Sequence, residues 1–386
     1  MSMRTKNGSL LNNQSHPVGL VEPPPLRWSL RLIYIAVFLI GIVGNFVVCC
    51  AIIRRKRMRT SNNLFTFNLA LADLIVVGIY VPTQMAAFEN DHNWPLGNFM
   101  CQVAYDIIPL CLSSSIGSLL AISCDRYRAI AHPLRPRLTL KNVKIIIAVI
   151  WIVSFLLILP LLFVAGTDRY PNGQLYCSEI WPENTPYEQI YWISIFVIQY
   201  IIPLIIIAAL SVITANKLKQ NDFFKKRRFS QVETMAVRQR MKQSTKIANM
   251  LVGLVLLYSV CMLPQHIVYF WMTYGNLNYL SYKMYIFRLS NVFPMANCAL
   301  NPIVYGTLNK DFGQVFRNFF AHLKCQHHSS SDSQGEQLSV IIDKEMESVT
   351  SFRRPTKSKY LSTTTTKTMC GEPFIDGSHI EIEDPI

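Results

Sequence analysis

Charge is what this chain has least of. Of its 386 residues, 16% are Asp, Glu, Lys or Arg while 51% are hydrophobic, against roughly 25% charged residues in an ordinary soluble domain. The deficit excludes a chain whose whole surface faces water. Acids are the scarcer sign, 23 against 37 Lys and Arg. HExxH, GxSxG and P-loop patterns are missing, so metal, serine and phosphate chemistries have no anchor and no enzyme is expected. The first 31 residues hold Pro23-Pro24-Pro25 but no central apolar core. This argues against a cleavable signal peptide and leaves the first apolar run to direct insertion. Neither an internal repeat nor the broken midplane helices of an inverted-repeat transporter is evident, which leaves a seven-span transporter as a distant alternative.

What is present is long apolar runs. In "LIYIAVFLIGIVGNFVVCCAII" (32–53) Asn45 is the one strongly polar residue, and at about 1.5 Å per residue the run crosses a hydrocarbon core of roughly 30 Å. Six more runs follow, near 64–88, 102–126, 145–165, 190–214, 247–272 and 283–307. Backbone groups in lipid must be satisfied within each segment, and barrel strands would be shorter and strictly alternating, so all seven are read as helices. In "DFGQVFRNFF" (311–320), Phe312, Val315, Phe316, Phe319 and Phe320 recur at helical spacing, predicting a helix along the membrane surface. The fold class expected is an all-α membrane protein: a seven-transmembrane helix bundle with a short amphipathic helix after the seventh span. Its predicted divisions are an extracellular tail (1–31), the bundle (32–307), the surface helix (308–324) and a cytoplasmic tail (325–386). That tail is rich in Ser, Thr, Lys and Glu and reads as disordered.

Orientation follows from basic residues, which are retained on the cytoplasmic side. Loop 54–63 carries "RRKRMR", 126–144 six Lys and Arg, and 215–246 ten, whereas the alternate loops hold Arg169 alone with Lys283 at an edge. The N-terminus is therefore expected outside, in a multi-pass plasma-membrane protein. Sequons at Asn7 and Asn13 fall in the expected extracellular tail as glycosylation candidates. The net charge of +14 reads as attraction of the inner face to anionic membrane lipids, with no nucleic acid as partner. Of ten cysteines, six lie within spans and Cys325 and Cys370 in the inner tail. Cys101 and Cys177 remain on the oxidising side, either as a disulfide tying span three to the second outer loop or as two unrelated thiols. Cys325, just past the surface helix, is a palmitoylation candidate or a plain thiol.

An ionisable group inside a span usually marks function. Asp73, in "NLALADLIVVGIY", needs a cation or a proton. Asn45, Ser115, Asn297 and Asn301 lie at comparable depth, and the set reads either as a hydrated pocket for an allosteric sodium ion, with no other cofactor, or as a structural hydrogen-bond network around a protonated acid. Asp125, Arg126 and Tyr127 stand where span three leaves the hydrocarbon. An arginine held by its neighbouring carboxylate there is a candidate two-state element, although a snorkelling arginine would give the same tripeptide.

The motifs "GNFVV" (44–48), "NLALAD" (68–73), Cys101 with "DRY" 24 residues later, Trp151, Pro203, "CMLP" (261–264) and "NPIVY" (301–305) occur in order, one per helix. Over roughly residues 30–320 the chain strongly resembles the rhodopsin-like (class A) G-protein-coupled receptors. The resemblance implies a heterotrimeric G protein as partner, with arrestin and receptor kinases. It makes Arg126 the G-protein-contacting arginine, Tyr305 a rearranging tyrosine, Asp73 the sodium-binding carboxylate and Leu134, in "AHPL", a hydrophobe docking into the G protein. Pro203, Pro264 and Pro302 should kink spans five, six and seven. The departures are Met262 in place of the usual tryptophan, Tyr258 in place of phenylalanine, Ser211 in place of tyrosine, and no acid near Ser244.

Met295 stands where a retinal-binding lysine would be and Ile108 where an amine-pairing aspartate would be, which reads against both ligand classes. The outer loops carry Glu89, Asp91, Asp168, Glu179, Glu183 and Glu188, an acidic vestibule suited to a cationic ligand. With "WPLG" and "NPIVYGTLNKDF", the chain looks most like the neuropeptide receptors. A basic extracellular peptide, amidated in its sharpest form, is the expected ligand; a lipid or small non-amine ligand is the alternative. Candidate ligand contacts are Gln84, Asp106, Ile108, Gln199, Gln265, His266, Tyr269, Arg288 and Asn291, each equally readable as packing. Arg288 could meet the ligand or pair with Asp106, and His266 has no partner at zinc spacing.

Overall fold

The computed structural model describes residues 24–91, 93–132, 138–169, 173–225, 231–275 and 283–321, and side-chain surroundings within them outside 218–246 and 283–285. Its helices are α1 (Pro24–Arg54), α2 (Ser61–Glu89), α3 (Gly97–Ala131), α4 (Leu140–Val164), α5 (Tyr187–Ile195, Phe196–Ile201 and Ile202–Lys225 in unbroken succession), α6 (Gln231–Tyr274), α7 (Lys283–Leu308) and α8 (310–321). Six of them are long and apolar enough to cross a membrane. The seventh, α7, has 26 residues, enough for a core of roughly 30 Å at about 1.5 Å each. Its apolar run is diluted by Arg288, Asn291, Asn297 and Asn301.

The helices begin and end by local rules and run past the apolar segments. Thr60 and Thr139 cap α2 and α4, each hydroxyl accepting from the backbone N–H three residues on, Asn63 and Asn142. α1 starts at Pro24 rather than at 32, which adds a polar turn carrying Arg27 and Arg31. α1 packs on α2 and α7, α3 on α2, α4, α5 and α6, and α6 on α7, closing a ring. In α3, 67% of the most apolar window is buried against 17% in α4, so α3 runs through the middle while α4 turns Ile152, Phe155, Leu156 and Phe163 outward. An exposed face this apolar is stable only against lipid.

Prolines shape the spans. A π turn at Val76–Tyr80 precedes Pro82 and another at Phe196–Ile201 precedes Pro203. Each contains the carbonyl four residues before the proline, Gly78 or Gln199, which the ring crowds and cannot donate to. The expected distortion at Pro203 takes this form; the one before Pro82 has the same cause and was not anticipated. Between α4 and α5 the chain folds into an antiparallel hairpin, β1 (Ala165–Arg169) with β2 (Leu175–Glu179). A disulfide from Cys177 to Cys101 on α3, with Cα atoms 5.4 Å apart, fixes the hairpin over the bundle. The side chains of Asn93 and Asn98 accept from the Leu175 and Thr167 N–H groups, at 2.8 Å each. The bundle's compact unit extends to Phe316, and Arg317 onward forms a second unit. Phe312 of α8 is fully buried, its ring 5.8 Å from that of Tyr305.

Candidate functional site

Polar side chains gather at three levels of the bundle. In the middle, Asp73 on α2 is fully buried. Asn301 of α7 donates to its Oδ2 at 2.8 Å, while Oδ1 meets no nitrogen or oxygen donor. Asn45 of α1 donates to the Cys298 carbonyl of α7 at 2.9 Å and to that of Gly41 at 3.0 Å. Pro302 is why the Cys298 carbonyl needs such a donor, since it supplies no N–H four residues on. The Oδ1 atoms of Asn45 and Asn297 are also buried and unpartnered, and Ser115 is buried. One carboxylate among neutral oxygens suits a small monovalent cation. Among the described residues no group of three His, Cys, Asp or Glu could hold a metal ion by itself. One turn and a little more before Asp73, Asn68 takes the Trp151 indole N–H of α4 at 2.8 Å and donates to Ser114 and Ser118 of α3 at 3.1 and 2.9 Å. One side chain thereby joins three helices.

At the end away from the hairpin, Arg126 is ion-paired with Asp125. Its Nε is buried without a partner, and its side chain lines a cavity of about 230 Å³ with Ser211 and Thr214 of α5 and Asn249, Leu251 and Val252 of α6. The wall at Ser211 is small because the residue is a serine. Tyr127 lies edge-on to His132 at 6.3 Å. Tyr305 is fully buried, and its hydroxyl has no partner.

At the hairpin end, aromatic rings from α5 and α6 interleave: Trp192 meets Tyr269 at 5.7 Å, and Phe196 meets His266 at 4.8 Å and Phe270 at 5.0 Å. Gln265 donates to Asn291 across α6 and α7 at 3.4 Å. Gln199 is buried with its amide nitrogen unpartnered; Gln84, Ile108 and Arg288 are half-buried. The vestibule is less acidic than the loop count implies. Arg31 holds both oxygens of Glu89 at 2.5 Å, and Arg27 holds Asp91 at 2.9 Å. Both arginines precede the first apolar run and were left out of that count. Deeper in, Asp106 and Glu179 are both buried.

A family model described as 7 transmembrane receptor (rhodopsin family) matches residues 44–305. The chain belongs to the rhodopsin family of seven-transmembrane receptors. It is 33% identical to galanin receptor 2a of Danio rerio over 298 residues, 75% of this chain and 77% of that one. It is 30% identical to the substance-P receptor of Aquarana catesbeiana over 323 residues, covering 82% and 74% of the two chains. Neuropeptide FF receptor 1 of Rattus norvegicus is 30% identical over 310 residues, 76% and 70%. As a rhodopsin-family receptor the chain is a multi-pass membrane protein and not an enzyme.

Several receptor positions singled out in the sequence fall elsewhere. Leu134, Asn7, Asn13 and Cys325 lie outside the described residues. Sequence reasoning passed over Asn68 and Glu179 as partners of other side chains. Asn68 was visible as a buried-length amide one turn from Asp73, and Glu179 as an acid two residues beyond Cys177.

Proposed function

We propose that this receptor answers an extracellular basic peptide, C-terminally amidated, and activates heterotrimeric G proteins when α6 swings outward and frees Arg126. The observation that carries the reading is the pairing of two features in one bundle: buried acids among aromatic rings under the hairpin, and an arginine held by Asp125 beside a cavity that α6 walls. The printed names of the relatives, receptors for galanin, substance P and neuropeptide FF, point to the same ligand class. A peptide that binds one arrangement of the helices better shifts the population toward it, and the G protein does the same from the other end.

The hairpin end then faces outward at the plasma membrane, with Asn7 and Asn13 glycosylated on an extracellular tail (1–31). The bundle covers 32–307, α8 with its flanks (308–324) lies along the inner leaflet, Cys325 is palmitoylated, and 325–386 serves arrestin and receptor kinases. Asp73, Ser115, Asn297 and Asn301 would hold a sodium ion, which would supply a counter-charge for the Asp73 carboxylate. These residues orient their oxygens without it: Asn301 fixes one carboxylate oxygen and leaves the other open.

The test is expression in cells with a promiscuous G protein and a calcium reporter, screened against basic and amidated peptides. A saturable response abolished by Asp106→Ala is expected. Silence across the library with surface expression established overturns the peptide reading in favour of a lipid or small non-amine ligand.

A further inference from the structure

The cavity beside Arg126 is bounded by α3, α5 and α6, and most of its lining is apolar. Ala215 of α5 and Ala248, Leu251 and Val252 of α6 supply that part. The polar part is small and incompletely paired. Ser123 of α3 spends its hydroxyl on the Leu119 carbonyl at 2.9 Å. Thr214 is 5% exposed, and neither its hydroxyl nor that of Ser211 has a hydrogen-bond partner among the described residues. The Arg126 Nε is buried and unpartnered as well. Polar groups shut away from water without partners are uncommon, and each is costly to leave in that state. A ligand that brings its own polar atom relieves them.

Size and charge narrow the ligand. An apolar cavity of roughly 150 Å³ stays dry and takes a benzene ring, so about 230 Å³ has room for one ring with a short substituent. The Arg126 guanidinium is already ion-paired with Asp125. An anion would bring a second negative group to an arginine whose charge is balanced, and a cation would meet the guanidinium itself. A neutral hydroxyl avoids both costs and is donor and acceptor at once. We infer that this cavity is a binding site for a small neutral phenol, its ring packed on the apolar residues of α5 and α6. Its hydroxyl accepts from the Arg126 Nε and donates to Thr214 or Ser211. A rigid ring loses less conformational freedom on binding than a flexible alcohol of the same volume. Ala215 and Val252 are exposed at the outside of the bundle, which gives a membrane-soluble ligand an entrance remote from the hairpin end.

The site is independent of the peptide reading, and its test uses no peptide. Full-length receptor in lipid nanodiscs is titrated with para-trifluoromethylphenol, followed by its fluorine NMR signal, with empty nanodiscs measuring partition into lipid. A saturable component beyond partition is expected. Para-trifluoromethyltoluene, which lacks the hydroxyl, should bind roughly fivefold more weakly, the loss of one neutral hydrogen bond. Para-trifluoromethylbenzoate, an anion of similar size, should show no saturable component. Ser211→Phe fills the cavity from α5 and Ala248→Leu fills it from α6; each should abolish saturable binding while the receptor still melts cooperatively. If Ser211→Phe does not express, Ala248→Leu carries the test. No saturable component in the wild type, equal binding of the toluene, saturable binding of the benzoate, or full phenol binding by either folded variant overturns the site.

Discussion

At the scale of single residues, the side chains that matter most hold several partners at once. Asn68 is the clearest, with its carbonyl on Trp151 and its amide on Ser114 and Ser118. Replacing it by alanine strands the part-buried indole N–H of Trp151 in a medium with no water to take its place. Asn68→Ala is therefore expected to lower stability by about 1–3 kcal/mol, read as a fall in the melting midpoint of the purified receptor. An unchanged midpoint would mean that α2, α3 and α4 are held by packing alone. The Arg31–Glu89 pair is a contrast. It is shorter and bidentate, yet both side chains are partly exposed at 23% and 40%. Screening by water and ions weakens such pairs, so Arg31→Ala should leave the midpoint within experimental error.

At the scale of elements, prolines create the positions where helices are stitched together. Pro203 leaves the Gln199 carbonyl without its helical donor, and the Tyr258 hydroxyl of α6 takes that role at 3.2 Å. Tyr200 replies by donating to the Ser259 carbonyl at 3.0 Å, and the two rings stack at 6.4 Å. Pro302 leaves the Cys298 carbonyl in the same condition, and Asn45 supplies the donor. Tyr258 is one of the sequence's departures from the family, and this geometry gives it a use that phenylalanine cannot fill. Tyr258→Phe should cost about 1 kcal/mol and loosen α5 from α6, raising ligand-independent signalling in the calcium assay. Reduced or unchanged basal signalling would show that the hydroxyl does not restrain α6. Close approach has a similar local cause at Gly44, where a Cβ would lie 2.7 Å from Pro302. Gly44→Ala should destabilise by about 1–3 kcal/mol, a loss measurable by thermal melting. Most of this architecture was legible in the sequence: apolar runs gave the spans, and the ordered motifs gave the family. Pairings across helices were not, because hydropathy records depth but not which faces meet. Nor were the true helix ends, since polar turns such as the one holding Arg27 and Arg31 extend a helix without extending its apolar run. Glu179 was counted as one loop acid among six because the fold that buries it depends on a disulfide to a distant helix.

At the scale of the whole molecule, the question is how a ligand at the hairpin end could influence an arginine at the opposite end of α3. The central helix carries both Asp106 and Arg126, so the two sites share one element, and α5 and α6 wall both the aromatic cluster and the Arg126 cavity. A ligand shifts such an equilibrium only by its differential affinity for the two arrangements. In the mechanism we propose, the resting state is held in part by the Asp125–Arg126 pair; the buried Arg126 Nε has no partner. A new acceptor on the cavity wall would compete with Asp125 for the guanidinium and favour the arrangement in which α6 has moved. Ser211→Tyr places a phenolic oxygen on that wall, which Arg126 and α6 residues share. If the added contact is worth about 1.4 kcal/mol more in the moved state than in the resting one, the population shifts tenfold. The variant should then show raised basal signalling together with tighter agonist binding, since coupling between the two ends is reciprocal. Raised basal signalling without a gain in agonist affinity would mean that the cavity at Arg126 and the proposed ligand site at the hairpin end respond to different motions of α6. A fall in both would mean that the larger side chain merely fills the cavity and blocks its partner.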